Sequence, residues 1–202
     1  MAHIPDGVLS APILTTGALV TAGLLVIAIR RLDYERIPQA AVLTAAFFVA
    51  SLLSVPVGPS SVHLLLNGLM GLVLGWTAVP AILVALIMQS VFFGYGGLLV
   101  LGVNSMNIAL PALACGLLLG PALRRSNGRH ALLLGALSGG LGVVLTGLMV
   151  SASLALSSAD YLPAAQVVLA TYLPLTVAEA AVTGFTLAFI MKVAPELILE
   201  AH

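Results

Sequence analysis

The fold is decided at residues 8–29, VLSAPILTTGALVTAGLLVIAI, an apolar run that contains no charged side chain. A membrane-spanning helix needs about 20 consecutive apolar residues, so this run is long enough to cross a bilayer. The basic residues Arg30 and Arg31 follow the run, and no Lys or Arg precedes it. A secretory signal peptide begins with a basic segment, so this order favours a permanent span over a cleaved signal.

The chain as a whole is also strongly apolar. Of its 202 residues, 61% are hydrophobic and only 7% are charged, and the mean hydropathy is +1.20. A soluble domain carries about 25% charged residues, so the composition predicts an integral membrane protein. The formal net charge of zero argues against a nucleic-acid partner. The lone cysteine, Cys115, cannot form an intrachain disulfide.

The apolar segments predict an all-α fold, a bundle of seven transmembrane helices in a single transmembrane domain, residues 1–202. The predicted spans are 8–29, 39–55, 62–76, 80–93, 108–123, 131–157 and 174–191. Shorter polar or glycine- and proline-rich segments separate them. The stretch 161–173 is read either as a short interfacial helix or as the beginning of the last span.

The basic residues predict how the bundle is oriented. Cytoplasmic loops carry an excess of Lys and Arg. With the N-terminus outside and the C-terminus cytoplasmic, every basic residue falls in a cytoplasmic segment. These residues are Arg30, Arg31, Arg36, Arg124, Arg125, Arg129 and Lys192.

This orientation gathers the chemically capable side chains at the outer face. His3 and His63 are expected outside, whereas His130 and His202 are expected in the cytoplasm. Asn67 follows His63 by four residues, which predicts a position one helical turn below it on the same face. Asn104 is expected in the outer connection 94–107, GYGGLLVLGVNSMN.

Two acidic residues complete the outer group. Glu179 lies inside the last predicted span, where an ionisable side chain is costly and marks function by default. It would balance a bound cation or take up a proton, and the alternative is that it pairs with a buried amide. Asp6, just before Gly7 and Val8, is read either as part of a site or as an ordinary helix N-cap.

An N-terminal X-His unit is a metal chelator. The terminal amine, the next backbone nitrogen and the imidazole form fused chelate rings in one plane, which suits Ni(II) or Cu(II). If Met1 is removed, Ala2 supplies the amine, His3 supplies its amide and imidazole, and His63 is needed as the fourth ligand. If Met1 is retained, the first three residues already supply four nitrogen donors. We prefer removal, because it gives His63 a role.

Four motifs carry a family resemblance. They are HIPDG (3–7), SSVHLLLNGLMG (60–71), GYGGLLVLGVNSMNIALPA (94–112) and TYLPLTVAEAAVTG (171–184). Together they resemble the CbiM/NikM family, the substrate-binding membrane subunits of energy-coupling-factor importers for cobalt and nickel. The resemblance extends over essentially the whole chain.

The resemblance implies a transported Co2+ or Ni2+ ion, with no other cofactor, held in a planar nitrogen site by Ala2, His3 and His63. The glycine-rich outer loop would close over the site, with Asn104 beside the ligands, and Asp6, Asn67 and Glu179 are weaker supporting candidates. The implied location is a bacterial or archaeal cytoplasmic membrane.

The implied partners are a transmembrane coupling subunit, cytoplasmic ATPase subunits and a small accessory membrane subunit. No GxxxxGK[ST] phosphate-binding loop occurs in the chain, so the chain is expected to be a non-catalytic subunit whose partners hydrolyse ATP. The surface that would contact the coupling subunit has no recognisable signature.

The chain departs from the family pattern in two places. One extra residue precedes His3, so the identity of the coordinating amine is open. Tyr95 stands where many relatives carry a histidine, which affects metal selectivity if that histidine tunes it. Four nitrogen ligands accept either cobalt or nickel, so the sequence leaves the ion open.

Three other functions compete with this one. A self-sufficient proton-coupled metal-ion transporter would use Glu179 as its proton site. An intramembrane enzyme is disfavoured because the catalytic motifs HExxH and GxSxG are absent. The residues most similar to a nucleophile and its base are Ser60 and Ser61 near His63, and no orienting acid lies nearby in the sequence. A purely structural membrane subunit would leave His3 without a role.

Overall fold

The computed structural model describes residues 3–52, 55–57, 60–125 and 129–199. Within them the regular secondary structure is helical apart from one short antiparallel hairpin, β1 (Val55–Val57) with β2 (Ser60–Val62). The all-α prediction is therefore confirmed. The helices are α1 (Ala11–Arg30), α2 (Ile37–Ala50), α3 (Asn67–Leu74), α4 (Ala78–Phe93), α5 (Leu101–Arg125), α6 (Ala131–Ser157), α7 (Leu162–Val193) and α8 (Glu196–Leu199).

Five stretches of the described chain are long and apolar enough to cross a membrane. They are Ala11–Arg30, Asn67–Phe93, Leu101–Arg125, Ala131–Ser157 and Ala159–Val193. The stretch Asn67–Phe93 joins α3 and α4 through a single 3-10 turn. Helix α2 has 14 residues and α3 has 8, so neither reaches the usual spanning length by itself. The seven-span count and the orientation stay predictions.

Several predicted boundaries differ from the structure. The predicted span 39–55 is too long, because α2 ends at Ala50 and β1 begins at Val55. The predicted span 62–76 starts too early: Leu66 has a φ of 49°, a left-handed conformation that a right-handed helix cannot include, and α3 begins only after it.

Of the helices α5, α6 and α7, two begin well before their predicted spans and one matches its span. Helix α5 begins seven residues before the predicted 108–123, which places Asn104 and Asn107 in a helix instead of a loop. Helix α6 matches the predicted 131–157. The open question at 161–173 is resolved, because α7 runs continuously from Leu162 to Val193 after one 3-10 turn.

Helix α5 lies at the centre of the bundle and packs against α1, α3, α4 and α6. Helix α6 runs antiparallel to it, since Asn107 bonds to Ser153 near one end and Cys115 to Ser138 further along. Helix α7 packs along α6 over most of its length. The core is apolar, with fully buried Met70, Ile82, Ile108 and Leu187 among its members.

The two ends of the bundle differ in chemistry. Helices α1 and α5 are parallel, because the segment before α1 bonds to Asn104 near the start of α5. At the other end, Arg31, which follows α1, and Arg124, near the end of α5, line one cavity. Helix α1, with 20 residues, separates these ends by about 30 Å. His3 lies at one end, and the basic residues lie at the other.

Close contact between α3 and α5 depends on small residues. A Cβ atom at Gly71 would overlap the carbonyl group of Ala112, and a Cβ atom at Gly116 would overlap the carbonyl group of Gly71. Small residues let membrane helices approach closely enough for their backbones to touch. Packing therefore explains these glycines without a functional role.

We predict that Gly71→Ala destabilises the protein, because the added methyl group must push α3 away from α5. Overpacking of this kind costs about 1–3 kcal/mol. The matched control is Gly23→Ala in α1, where no atom lies within 4 Å of the added Cβ. Thermal unfolding in detergent should show a lower midpoint for Gly71→Ala and no decrease for Gly23→Ala. An unchanged midpoint for Gly71→Ala would contradict this packing.

Candidate metal site

The N-terminal segment is held against the start of α5 by one asparagine side chain. Asn104 Oδ1 accepts the backbone N–H of Ile4 at 3.1 Å, and Asn104 Nδ2 donates to the carbonyl oxygen of Ile4 at 3.0 Å. The Asn104 side chain is buried, as is Ile4. This two-way pairing satisfies both backbone groups of the residue next to His3, so it fixes where His3 lies.

A second tie joins the segment to the glycine-rich loop 94–97. Asp6 Oδ1 accepts the backbone N–H of Val100 at 3.0 Å, immediately before α5. Asp6 is therefore a cap, but of α5 and not of α1 as its position in the sequence suggested. A Cβ atom at Gly97 would overlap the Asp6 carboxylate, so only glycine leaves room for this contact.

The structure brings the two predicted outer histidines together. The rings of His3 and His63 stack with centroids 5.3 Å apart and planes 23° from parallel. The Tyr95 ring also stacks on His3, with centroids 5.8 Å apart and an angle of 24°. His3 is 8% exposed and His63 is 4% exposed, so both imidazoles lie inside the protein although neither belongs to a helix.

Both histidines have a buried ring nitrogen without a protein partner. Within the described part of the chain, Nε2 of His3 and Nε2 of His63 have no hydrogen-bond partner. His63 Nδ1 lies 3.0 Å from the Leu64 carbonyl oxygen, a contact that requires the proton on Nδ1 and leaves a lone pair on Nε2. A buried polar atom left in this way calls for a partner such as an ion.

Burial keeps the two imidazoles neutral. Burial, with a smaller contribution from the neighbouring His63, lowers the pKa of His3 to about 3. Burial likewise lowers the pKa of His63, although its hydrogen bond to Leu64 opposes the change. The neutral imidazole is the form that binds a metal ion, so both rings are ready to act as ligands near neutral pH.

Side chains alone do not complete a metal site here. No group of three or more His, Cys, Asp or Glu side chains in the described ranges could hold an ion. Ala2 and Met1 lie outside the described residues, so the role of Ala2 stays a prediction.

Glu179 holds the segment that carries His63. Its carboxylate, fully buried on α7, accepts the backbone N–H groups of Leu65 and Leu66. Leu66 is the described non-glycine residue with positive φ, a conformation that persists only when its surroundings enforce it. Of the roles considered for Glu179, pairing with buried amides is the arrangement present in the structure.

Asn67 does not belong to the histidine site. Its Nδ2 donates to Thr146 Oγ1 at 2.8 Å, so it links α3 to α6. The expectation that it lies one turn below His63 is wrong, because residues 63–66 are not helical. No local signal in the sequence indicates that Leu66 has a positive φ. The four-residue spacing from His63 therefore predicts the wrong face for Asn67.

Two solved structures are similar to this fold. A crystal structure of a transition metal transporter superposes with a TM-score of 0.80 at 27% identity, over 98% of this chain and 96% of that one. A crystal structure of a truncated transition metal transporter gives 0.79 at 26% identity, over 94% and 98%.

The related sequences also have names that refer to metal transport. A candidate metal transport protein of Haemophilus influenzae is 38% identical over 97% of this chain and 96% of its own length. The fused nickel transport protein NikMN of Rhodobacter capsulatus is 36% identical over 54% of this chain, which is 33% of that protein. The family described as cobalt uptake substrate-specific transmembrane region, CbiM, matches residues 3–197. The resemblance expected from the four motifs is thus confirmed, and the chain belongs to the CbiM family as a multi-pass membrane protein.

Proposed function

We propose that the chain is the substrate-capture subunit of an energy-coupling-factor importer for Co2+ or Ni2+. The observation that carries this proposal is the pair of buried, neutral histidines from distant parts of the chain, with the unpartnered Nε2 of His63 beside His3. Membership of a cobalt-uptake family and the nickel transport function named for a relative support the choice of ion.

The ion would be held by nitrogen atoms at the N-terminus. His3 would supply its amide and imidazole, Ala2 its amine after removal of Met1, and His63 the remaining imidazole. Planar nitrogen coordination suits these metals. Among the described residues no third acidic, thiol or imidazole side chain joins the two histidines, which is compatible with a site that uses backbone nitrogens.

Asn104 and Asp6 would then control capture and release. Both tie the N-terminal segment to the start of α5, so the ligands on that segment can leave only if these bonds break or α5 moves with them. Transport would require cytoplasmic ATPases, because this chain has no phosphate-binding loop of its own. A transmembrane coupling subunit and a small accessory membrane subunit would complete the importer.

A self-sufficient proton-coupled transporter is less well supported. That function would use Glu179 as a proton-exchanging group, yet the Glu179 carboxylate is occupied by the backbone N–H groups of Leu65 and Leu66. Uptake of Co2+ or Ni2+ by the chain alone in liposomes, driven by a proton gradient, would favour this alternative over the coupled importer.

The role of the N-terminal amine predicts that one or two residues added ahead of Ala2 abolish high-affinity metal binding. The extension displaces the amine and shifts the amide positions, whatever the side chains do. Calorimetric titration with Ni2+ and Co2+ should detect the loss, with the N-terminal residue verified by intact mass. A tag of the same length at the C-terminus is the control and should bind normally. Equal affinity for both tagged proteins would place the site elsewhere.

The role of His63 predicts that His63→Ala lowers metal affinity by more than about 100-fold, because a direct ligand matters more than the groups that orient one. The matched control is His130→Ala, since His130 is exposed just before α6, at the basic end of the bundle. Titration of both variants, with unfolding curves to verify their folding, tests the assignment. Stoichiometric tight binding by folded His63→Ala would contradict it.

The contacts of Glu179 predict that Glu179→Ala frees the 63–66 segment and weakens metal binding by about 10-fold, whereas Glu179→Gln, which keeps one acceptor oxygen, has a smaller effect. Hydrogen exchange at the Leu65 and Leu66 amides should accelerate in the metal-free Ala variant. Thr176→Ala is the control, because its hydroxyl bonds only within α7. Unchanged exchange at both amides would show that Glu179 does not position this segment.

A further inference from the structure

A cavity of about 460 Å³ opens at the end of the bundle opposite the histidines. It lies where α1 and α5 end and where the 3-10 turn Gly75–Thr77 joins α3 to α4. The residues that give it its chemistry are Arg31, Asp33, Arg36, Trp76, Leu117 and Arg124. None of them takes part in the histidine site.

The cavity wall has hydrogen-bond donors without acceptors. The Arg31 guanidinium lies 4.9 Å from the centre of the Trp76 ring. Within the described part of the chain, the buried Trp76 Nε1 has no partner. In the same part of the chain, neither Arg31 nor Arg124 has a hydrogen-bonded acceptor. The buried Trp76 N–H group therefore calls for an acceptor that the described residues do not supply. Arg31 is exposed and Arg124 is partly buried, so both guanidinium groups can also donate to a ligand in the cavity.

Positive charge on the wall exceeds negative charge. Three guanidinium groups face one carboxylate, Asp33. Arg36 is used structurally, since it donates to Gln39, to the Val73 carbonyl at 2.6 Å and to the Leu197 carbonyl. Burial lowers the pKa of Arg36, and Arg124 lowers it further against the opposing effect of Asp33. Arg31 and Arg124 are therefore the charges available to a ligand.

The rim of the cavity is apolar where it meets the side of the bundle. Leu117 lines the cavity and is 59% exposed, and the neighbouring Leu118 is also exposed. Both belong to α5, one of the apolar stretches long enough to cross a membrane. A ligand that fits this surface has an anionic group at one end and an apolar chain at the other.

We propose that this cavity binds the phosphate group of an anionic membrane lipid. Arg31, Arg124 and the Trp76 N–H group donate to the phosphate oxygens, and the acyl chains lie along Leu117. Charge-assisted bonds to phosphate are the strong kind, and basic pockets between membrane helices are suited to lipid headgroups. The end rich in Arg is the predicted cytoplasmic end, where anionic lipids concentrate. This proposal does not depend on the metal site.

Trp76 provides the measurement, because it is the chain's one tryptophan. The full chain, reconstituted in phosphatidylcholine nanodiscs, is titrated with brominated phosphatidylglycerol or brominated phosphatidylcholine, and quenching of tryptophan fluorescence is followed. We expect half-maximal quenching at an about 10-fold lower mole fraction of phosphatidylglycerol, as two charge-assisted contacts would give. Equal quenching by the two lipids would overturn the proposal.

Matched variants distinguish specific binding in the cavity from nonspecific attraction between basic residues and anionic lipid. Arg31→Gln with Arg124→Gln should abolish the preference for phosphatidylglycerol. Arg30→Gln with Arg125→Gln removes the same charge from exposed residues outside the cavity and should retain the preference. An equal loss in both pairs would overturn the proposal. Arg124→Lys, which keeps the charge but not the planar fork, should give an intermediate preference and serves if the double variant does not fold.

Competition distinguishes the source of the anion. Inorganic phosphate and a soluble poly-glutamate peptide are each added to the quenched complex. We expect neither to restore fluorescence at millimolar concentration, because neither supplies acyl chains. Recovery with inorganic phosphate would assign the cavity to a free anion, recovery with the peptide would assign it to an acidic protein partner, and either result would overturn the lipid assignment.

Discussion

The pairing of Asn104 with the backbone of Ile4 is the interaction on which the candidate site depends. An extended segment buried at the end of a membrane bundle needs partners for its backbone N–H and C=O groups, since leaving them unsatisfied costs several kcal/mol each. The Asn104 amide supplies a donor and an acceptor at once. Because α5 is central to the bundle, this pairing joins the residue next to His3 to a helix that packs against α1, α3, α4 and α6.

Side chains also bind unpaired backbone N–H groups at two other places around the site. Asp6 accepts the N–H of Val100 ahead of α5, and Glu179 accepts the N–H groups that precede α3. In each case a carboxylate, exposed at Asp6 and fully buried at Glu179, stabilises backbone that has no helical partner. The two histidines differ from these carboxylates, since the Nε2 atoms of both remain unpartnered among the described residues. Two unpartnered imidazole nitrogens on stacked rings are the observation that supports the proposed ion site.

Much of the architecture could be predicted from the sequence because it depends on local properties. Apolar runs of spanning length predicted most helices, and α6 matched its predicted bounds. The position of basic residues beyond the apolar runs predicted that one end of the bundle is cationic, and Arg31 and Arg124 do line one cavity there. The four motifs, two of which contain His3 and His63, were enough to identify the family, since they follow one another along the whole chain.

The tertiary structure decided what depends on contacts between distant residues. The early start of α5 is capped by Asp6, nearly a hundred positions earlier in the chain, and no local pattern encodes such a bond. The left-handed turn at Leu66 exists because Glu179 holds it, and it redirected Asn67 from the histidines to α6. Hydropathy and residue spacing predict the structure of each segment as if its surroundings were uniform. Where a carboxylate or amide from a distant part of the chain binds the backbone, that side chain determines the local conformation. It is in place only in the folded chain.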